Sequence, residues 1–278
     1  MSNDQQQNGN GQQTAVTRRQ DTPASRLSLY LNSRAKNLAE YARNSVKPAT
    51  MIRLAVYEFA NSEWLQKCTP ESVYASLITA AQLGLEPSGV RGLGYLVPYK
   101  GKCTFMPGWR GLIALALRSK AVKSIYAHVV YEGDDFVVKL GTHVDIHHVP
   151  ALNTSDQPRE VIAAYAVAVL ENGERDIEVM DRYELERVRD FAASNRGGKD
   201  GPAYQQWADQ MYRKAPIRRL CKRLPLGDDY FTAAKLDELH DQGKPDEIAN
   251  FIDVPSEVVE TEAAPAGSRI AAAVDRGK

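Results

Sequence analysis

The hydrophobic pattern of this chain changes period at Gly84, and that change decides its fold class. Before Gly84, Leu27, Leu31, Leu38 and Tyr41 recur at helical spacing, as do Ile52, Val56, Phe59 and Ala60 behind Pro48. Thr69-Pro70-Glu71 supplies an N-cap and a first-turn proline for a helix carrying Val73, Leu77 and Ala80, with Gly84 as its stop. After Gly84 the pattern suits strands. Tyr95–Tyr99 and Cys103–Met106 read as a β-hairpin with Lys100-Gly101-Lys102 at its turn, followed by a helix from Trp109 to Ser119. Residues 121–131, 134–140, 143–149 and 160–171 read as strands, and Asn172-Gly173 as a tight turn into a strand near 175–180. Asp181 and Glu184 have capping-box spacing, and a glycine-rich loop, 195–201, precedes a helix from Pro202. Helices, mixed strands around one helix, then helices again predict an α+β domain.

The ends differ in texture. Residues 1–24 are rich in Gln, Asn and Gly without periodicity and read as a disordered polar tail. Residues 25–230 form the expected core, and 231–278 an acidic, mostly flexible region suited to partner binding. Residues 226–278 hold five basic and twelve acidic groups, a net of −7, against +7 on residues 1–225. No apolar stretch reaches a membrane span, and the polar N-terminus is unlike a secretory signal. Cys68, Cys103 and Cys221 are isolated, which argues against a disulfide framework or a CxxC metal site and predicts a cytoplasmic protein.

Two segments carry the functional signal. The 45 residues from Pro87 to Tyr131 contain no acid, yet hold Lys100, Lys102, Arg110 and Arg118 among Tyr95, Tyr99, Phe105 and Trp109. Cations neutralise phosphates and flat rings stack on bases, so the pattern points to nucleic acid, single strands first. Lys100 and Lys102 flank a turn glycine. Trp109-Arg110 opens a helix whose N–H groups favour an anion. In the second segment, 211–225, Lys214, Arg218, Arg219, Lys222 and Arg223 cover one half of a helix, and Ile217, Leu220, Cys221 and Leu224 the other. No acid lies between Asp209 and Asp228, so this face is expected to meet phosphates. Pro216 predicts a kink there or a fresh helix start. Tyr204 and Trp207 are expected to pack that helix.

These segments carry a resemblance. L-G-L-E-P-S-G (83–89), Y-L-V-P-Y-K-G-K-C (95–103), G-W-R-G-L (108–112), R-S (118–119) and V-V-Y-E-G-D-D-F (129–136) occur in the order seen in the RecT family of phage single-strand annealing proteins. M-Y-R-K-A-P-I-R-R-L-C-K-R-L-P (211–225) resembles that family's basic helix, departing at Ala215-Pro216. The resemblance covers about residues 26–230. It implies ATP-independent binding and annealing of single-stranded DNA in homologous recombination, by rings or helical filaments. It also implies a β-β-β-α core like that of the eukaryotic strand-annealing recombination mediators. The implied partners are a phage exonuclease and the host single-strand binding protein, in the cytoplasm of a bacterial host. No GxxxxGK[ST] loop is present, in keeping with a protein that is not an ATP-driven enzyme.

On this reading no residue is catalytic, and none is a metal ligand. Magnesium is expected to help only through DNA. His143, Asp145 and His147 would share a strand face, but the outer two lie about 13 Å apart. Glu132, Asp134 and Asp135 suggest a rival metal-dependent nuclease, and the 211–225 helix a rival duplex-specific regulator.

Overall fold

The structure is a computed structural model that describes residues 22–152, 159–194, 197–244 and 247. Most of the expected N-terminal tail, the acidic region from 248 onward and residues 195–196 of the glycine-rich loop lie outside the described residues.

The chain is α+β. Helices α1 (Pro23–Ser33), α2 (Ala35–Tyr41), α3 (Pro48–Ala60) and α4 (Pro70–Leu83) come first. Thr22 caps α1 in a capping box with Ser25. Thr69 Oγ1 accepts the Ser72 N–H at 3.3 Å to cap α4. Gly84, at φ +62°, closes α4 in the left-handed conformation. Val73, Tyr74, Leu77, Ile78, Ala80 and Ala81 are all buried, so α4 is covered on nearly every side and forms the middle of the core.

Strands β1 (Gly94–Tyr99) and β2 (Lys102–Pro107) pair antiparallel as a hairpin, with Leu96 opposite Phe105. Ser72 and Ser76 on α4 fix β2 at Cys103. The Cys103 N–H donates to Ser72 Oγ and the Ser76 hydroxyl to the Cys103 carbonyl, each at 2.9 Å. Helix α5 (Trp109–Arg118) follows. Its first turn lies under the 88–94 loop so closely that a Cβ on Gly111 would sit 2.0 Å from the Leu93 carbonyl oxygen.

Strands β3 (Val122–Tyr131), β6 (Val161–Leu170) and β7 (Arg175–Asp181) make an antiparallel sheet in the order β3-β6-β7. Between β3 and β6, β4 (Asp135–Lys139) and β5 (Asp145–Val149) form a separate hairpin. Six consecutive β6 residues, Ala163–Ala168, are buried, because both faces of the sheet are covered. Ala164, Ala166 and Ala168 lie on the helix side, where their small side chains let α7 (Pro202–Cys221) approach. Tyr165 lies on the opposite face, stacked on Phe136 of the β4–β5 hairpin with centroids 5.5 Å apart.

Asp134 anchors that hairpin. Its carboxylate accepts the N–H groups of Tyr131 and Ala151 at 2.9 and 2.8 Å, Arg159 at 2.6 Å and His148 Nε2 at 3.1 Å. His148 Nδ1 lies 3.2 Å from the Tyr165 hydroxyl. Burial raises the Asp134 carboxyl, but these four donors outweigh it and hold the group well below the usual carboxylate range. The Asn172-Gly173 turn, with Gly173 at φ +85°, leads into β7. Helix α6 (Arg182–Ser194) opens with a reciprocal cap: Glu184 N–H to Asp181 Oδ1 at 2.8 Å and Asp181 N–H to Glu184 Oε2 at 3.3 Å.

Two expectations are corrected. Pro216 neither kinks nor restarts α7. The backbone leaves helical geometry at Trp207 (φ −138°, ψ 43°), and the helix runs on through Pro216, whose neighbours Ile217, Leu220 and Cys221 are pressed into the core. The core also does not stop at 230. Helix α8 (Asp228–Asp241) buries Tyr230, Ala233, Leu236 and Leu239 in the main core, so the boundary set at 231 falls inside a packed helix.

Gly111→Ala is expected to cost about 2 kcal/mol or more in urea unfolding, because its Cβ meets backbone rather than a yielding side chain. Gly227→Ala, with open space around it, is the matched control and should be near neutral. Asp134→Asn should lose about 3 kcal/mol at neutral pH. A depressed carboxyl contributes stability above its unfolded value of about 4, lost as pH falls through the folded value. The gap between wild type and Asp134→Asn should therefore narrow below about pH 4.

Candidate nucleic-acid interface

The β1–β2 hairpin carries basic residues at both ends. At its tip, Lys100 (φ +47°) and Gly101 (φ +80°) make the turn, and the Gly101 carbonyl accepts the Thr69 N–H at 3.3 Å. Lys100 and Lys102 are exposed. The Lys100 ammonium lies 4.8 Å from the centroid of Tyr99, whose hydroxyl donates to the Gly243 carbonyl at 2.7 Å. Lys102 makes no ion pair among the described residues.

The hairpin base is about 17 Å away, the length of a six-residue strand. There Gly108 begins α5 without a side-chain cap. A Cβ on Gly108 would sit 2.2 Å from the Gly92 carbonyl oxygen, so only glycine lets the loop lie against the helix start. Arg110 is exposed, 5.3 Å over the Trp109 ring. Trp109 is half-buried against the main core, and Tyr95 is 37% exposed beside Gly89 and Gly92. Arg110, Tyr95 and Trp109 thus gather at one end of the hairpin, and Lys100 and Lys102 at the other.

Arg118 is placed differently from its expected role. Its guanidinium donates to the carbonyls of Leu83 and Gly84 at 2.5 and 2.6 Å, filling acceptors left open at the C-terminus of α4. Burial lowers its pKa from the ordinary value. Its donors are engaged inside the protein, at the negative end of a helix dipole.

Helix α7 brings the main correction. Lys214 is 5% exposed and pairs with Asp237 of α8, which is fully buried. Arg218 pairs with Asp241 at 2.5 Å and Asp237 at 3.2 Å. Arg219 pairs with Glu184 at 2.7 Å and Glu178 at 3.2 Å. Arg223 pairs with Asp176 at 2.9 Å and also with Glu178. Burial raises the Asp237 carboxyl, but Lys214 and Arg218 outweigh it and hold it ionised. The anions this face was expected to find in DNA come from β7, α6 and α8. Lys222 alone of the five is exposed with no ion pair among the described residues. Nothing within 211–225 signals these partners. They lie in other elements, one of them assigned by composition to a flexible tail.

The aromatics divide unexpectedly too. Tyr204 is buried, as expected, but Trp207 is 61% exposed at the helix break. Among the described residues, no three His, Cys, Asp or Glu side chains come together in a group able to hold a metal ion. Asp134 and His148 face inward, and His147 lies 3.6 Å from Asp135 at the surface. The carboxylates a nuclease would need do not converge. No helix is long and apolar enough to cross a membrane, among the described residues.

Comparison with known proteins agrees with the residue pattern. The model of the RecT family matches residues 49–250. Protein RecT of Escherichia coli (strain K12) is 36% identical over 196 residues, 68% of this chain and 70% of the relative. Uncharacterized protein YqaK of Bacillus subtilis (strain 168) is 40% identical over 89 residues, 32% of this chain and 31% of the relative. The family match spans both basic segments and every strand of the fold, and the chain belongs to the RecT family.

Proposed function

We infer that this protein binds single-stranded DNA and anneals complementary strands in homologous recombination, without ATP. The observation that carries this reading is membership of the RecT family across residues 49–250. The physical logic is simple. Base pairing itself supplies about 1.4 kcal/mol per stacked step, so the protein need only bring strands together and lower their repulsion. It must grip the backbone and leave the pairing edges of the bases free. Exposed Lys100, Lys102, Arg110 and Lys222 suit that task, because cations contact phosphates without reading sequence.

The reading extends further. The protein works as a homo-oligomeric ring or filament in the cytoplasm of a bacterial host, with a phage exonuclease and the host single-strand binding protein as partners. It catalyses no covalent step, and magnesium assists only by screening DNA. The β3-β6-β7 sheet followed by helices is the part of the fold that supports kinship with the β-β-β-α core of the eukaryotic mediators.

Two complementary fluorescent oligonucleotides should anneal faster with the protein in the absence of any nucleoside triphosphate. No acceleration by folded protein would overturn the reading. Lys102→Ala with Arg110→Ala should weaken binding to unrelated sequences alike and reduce the salt slope by about 1.4, or 0.7 per lost contact. A chain ending at residue 247 should anneal nearly as well as the full protein. One ending at 227 lacks α8, leaves Lys214 buried without its partner, and should fail to fold stably.

A further inference from the structure

Helix α6 carries Tyr183, Arg187 and Phe191 four residues apart, so the three follow one another along one side of the helix. Tyr183 is 68% and Phe191 52% exposed, and the Arg187 guanidinium lies 5.8 Å from the Tyr183 ring centroid. Arg187 and Phe191 line a cleft of about 410 Å³ between α6, α7 and α8, which Lys222 also lines.

Each acid in this cleft has a cation of its own. Glu184 pairs with Arg219, Asp241 with Arg218, and Glu238 with Lys235 at 3.5 Å. Among the described residues, Arg187 and Lys222 pair with no carboxylate. The cleft therefore presents two cations whose charge the protein does not cancel, beside a half-exposed aromatic ring. A phosphodiester supplies the missing anions, and an attached base supplies a partner for the ring. A second copy of the chain fits less well, because the cleft's own acids are already neutralised and would have no cation to offer across an interface.

We propose that the α6–α7–α8 cleft is a second contact for single-stranded DNA, with Arg187 and Lys222 on phosphates and Phe191, flanked by Tyr183, as a stacking platform. This rests on the reading of the protein as a single-strand annealing protein, and adds to it a site separate from the β1–β2 hairpin.

The test is the salt dependence of binding to fluorescent single strands of unrelated sequence, with light scattering to follow oligomer size. Arg187→Ala with Lys222→Ala should reduce the slope by about 1.4 for every sequence. Arg187→Gln with Lys222→Gln, which keeps the stems, should do the same and guards against misfolding of the alanine variant. Phe191→Ala should weaken binding at least about fivefold, and Phe191→Tyr should restore it. Wild-type slopes in both paired variants would overturn the proposal while leaving the annealing function standing. So would smaller oligomers with an unchanged slope, which would make the cleft a subunit contact. A wild-type protein that binds no single strand would instead overturn the functional reading, and this site with it.

Discussion

The buried ion cluster between α7 and α8 sets what the rest of the molecule can be. Lys214 and Arg218 face Asp237 and Asp241, two cations against two acids, with Lys214 and Asp237 almost wholly out of water. Charges taken from water cost several kcal/mol each unless paired. None of these side chains can be buried alone, so α8 has to fold onto α7 for either to pack. Apolar contacts made by Leu220, Cys221, Leu236 and Leu239 complete the joint. The cluster thereby makes α8 part of the domain and withdraws Lys214 and Arg218 from the surface.

What was legible in the sequence is what local chemistry decides. Thr69, Pro70 and Gly84 mark both ends of α4, because a cap hydroxyl, a fixed φ and a left-handed glycine act within a few residues. Asp181 with Glu184 and Asn172 with Gly173 announce α6 and the β6–β7 turn for the same reason. The pairing of Lys214 with Asp237 is a contact between residues far apart in sequence, which periodicity does not encode. An unopposed basic helix in the sequence is an opposed one in the fold. Acid-rich composition after residue 226 suggested flexibility, yet two of those acids are the counter-ions the basic helix requires. The break at Trp207 was likewise hidden, since Pro216 carries the local signal for a kink and tertiary packing overrides it.

The same division separates structural from DNA-facing cations. Arg118 fills carbonyls at the end of α4, and Arg219 and Arg223 tie α7 to α6 and β7. Each spends its charge on the fold. Lys102, Arg110 and Lys222 keep theirs at the surface. An annealing protein benefits from this arrangement, because its frame must hold its shape while strands exchange on its surface. The tight glycine contacts of Gly108 and Gly111 serve the frame too, fixing the start of α5 and hence the position of Arg110.

The central claim is that Lys214 belongs to the fold and not to the DNA surface. The direct test combines Lys214→Met, Asp237→Leu and the double substitution, each measured for unfolding free energy and for the salt slope of single-strand binding. Each single change should cost about 3–5 kcal/mol by stranding a buried charge. The double change, which leaves Arg218 with Asp241, should recover most of that loss and keep the wild-type slope. A stable Lys214→Met protein whose slope falls by about 0.7 would contradict the account and place Lys214 on a phosphate.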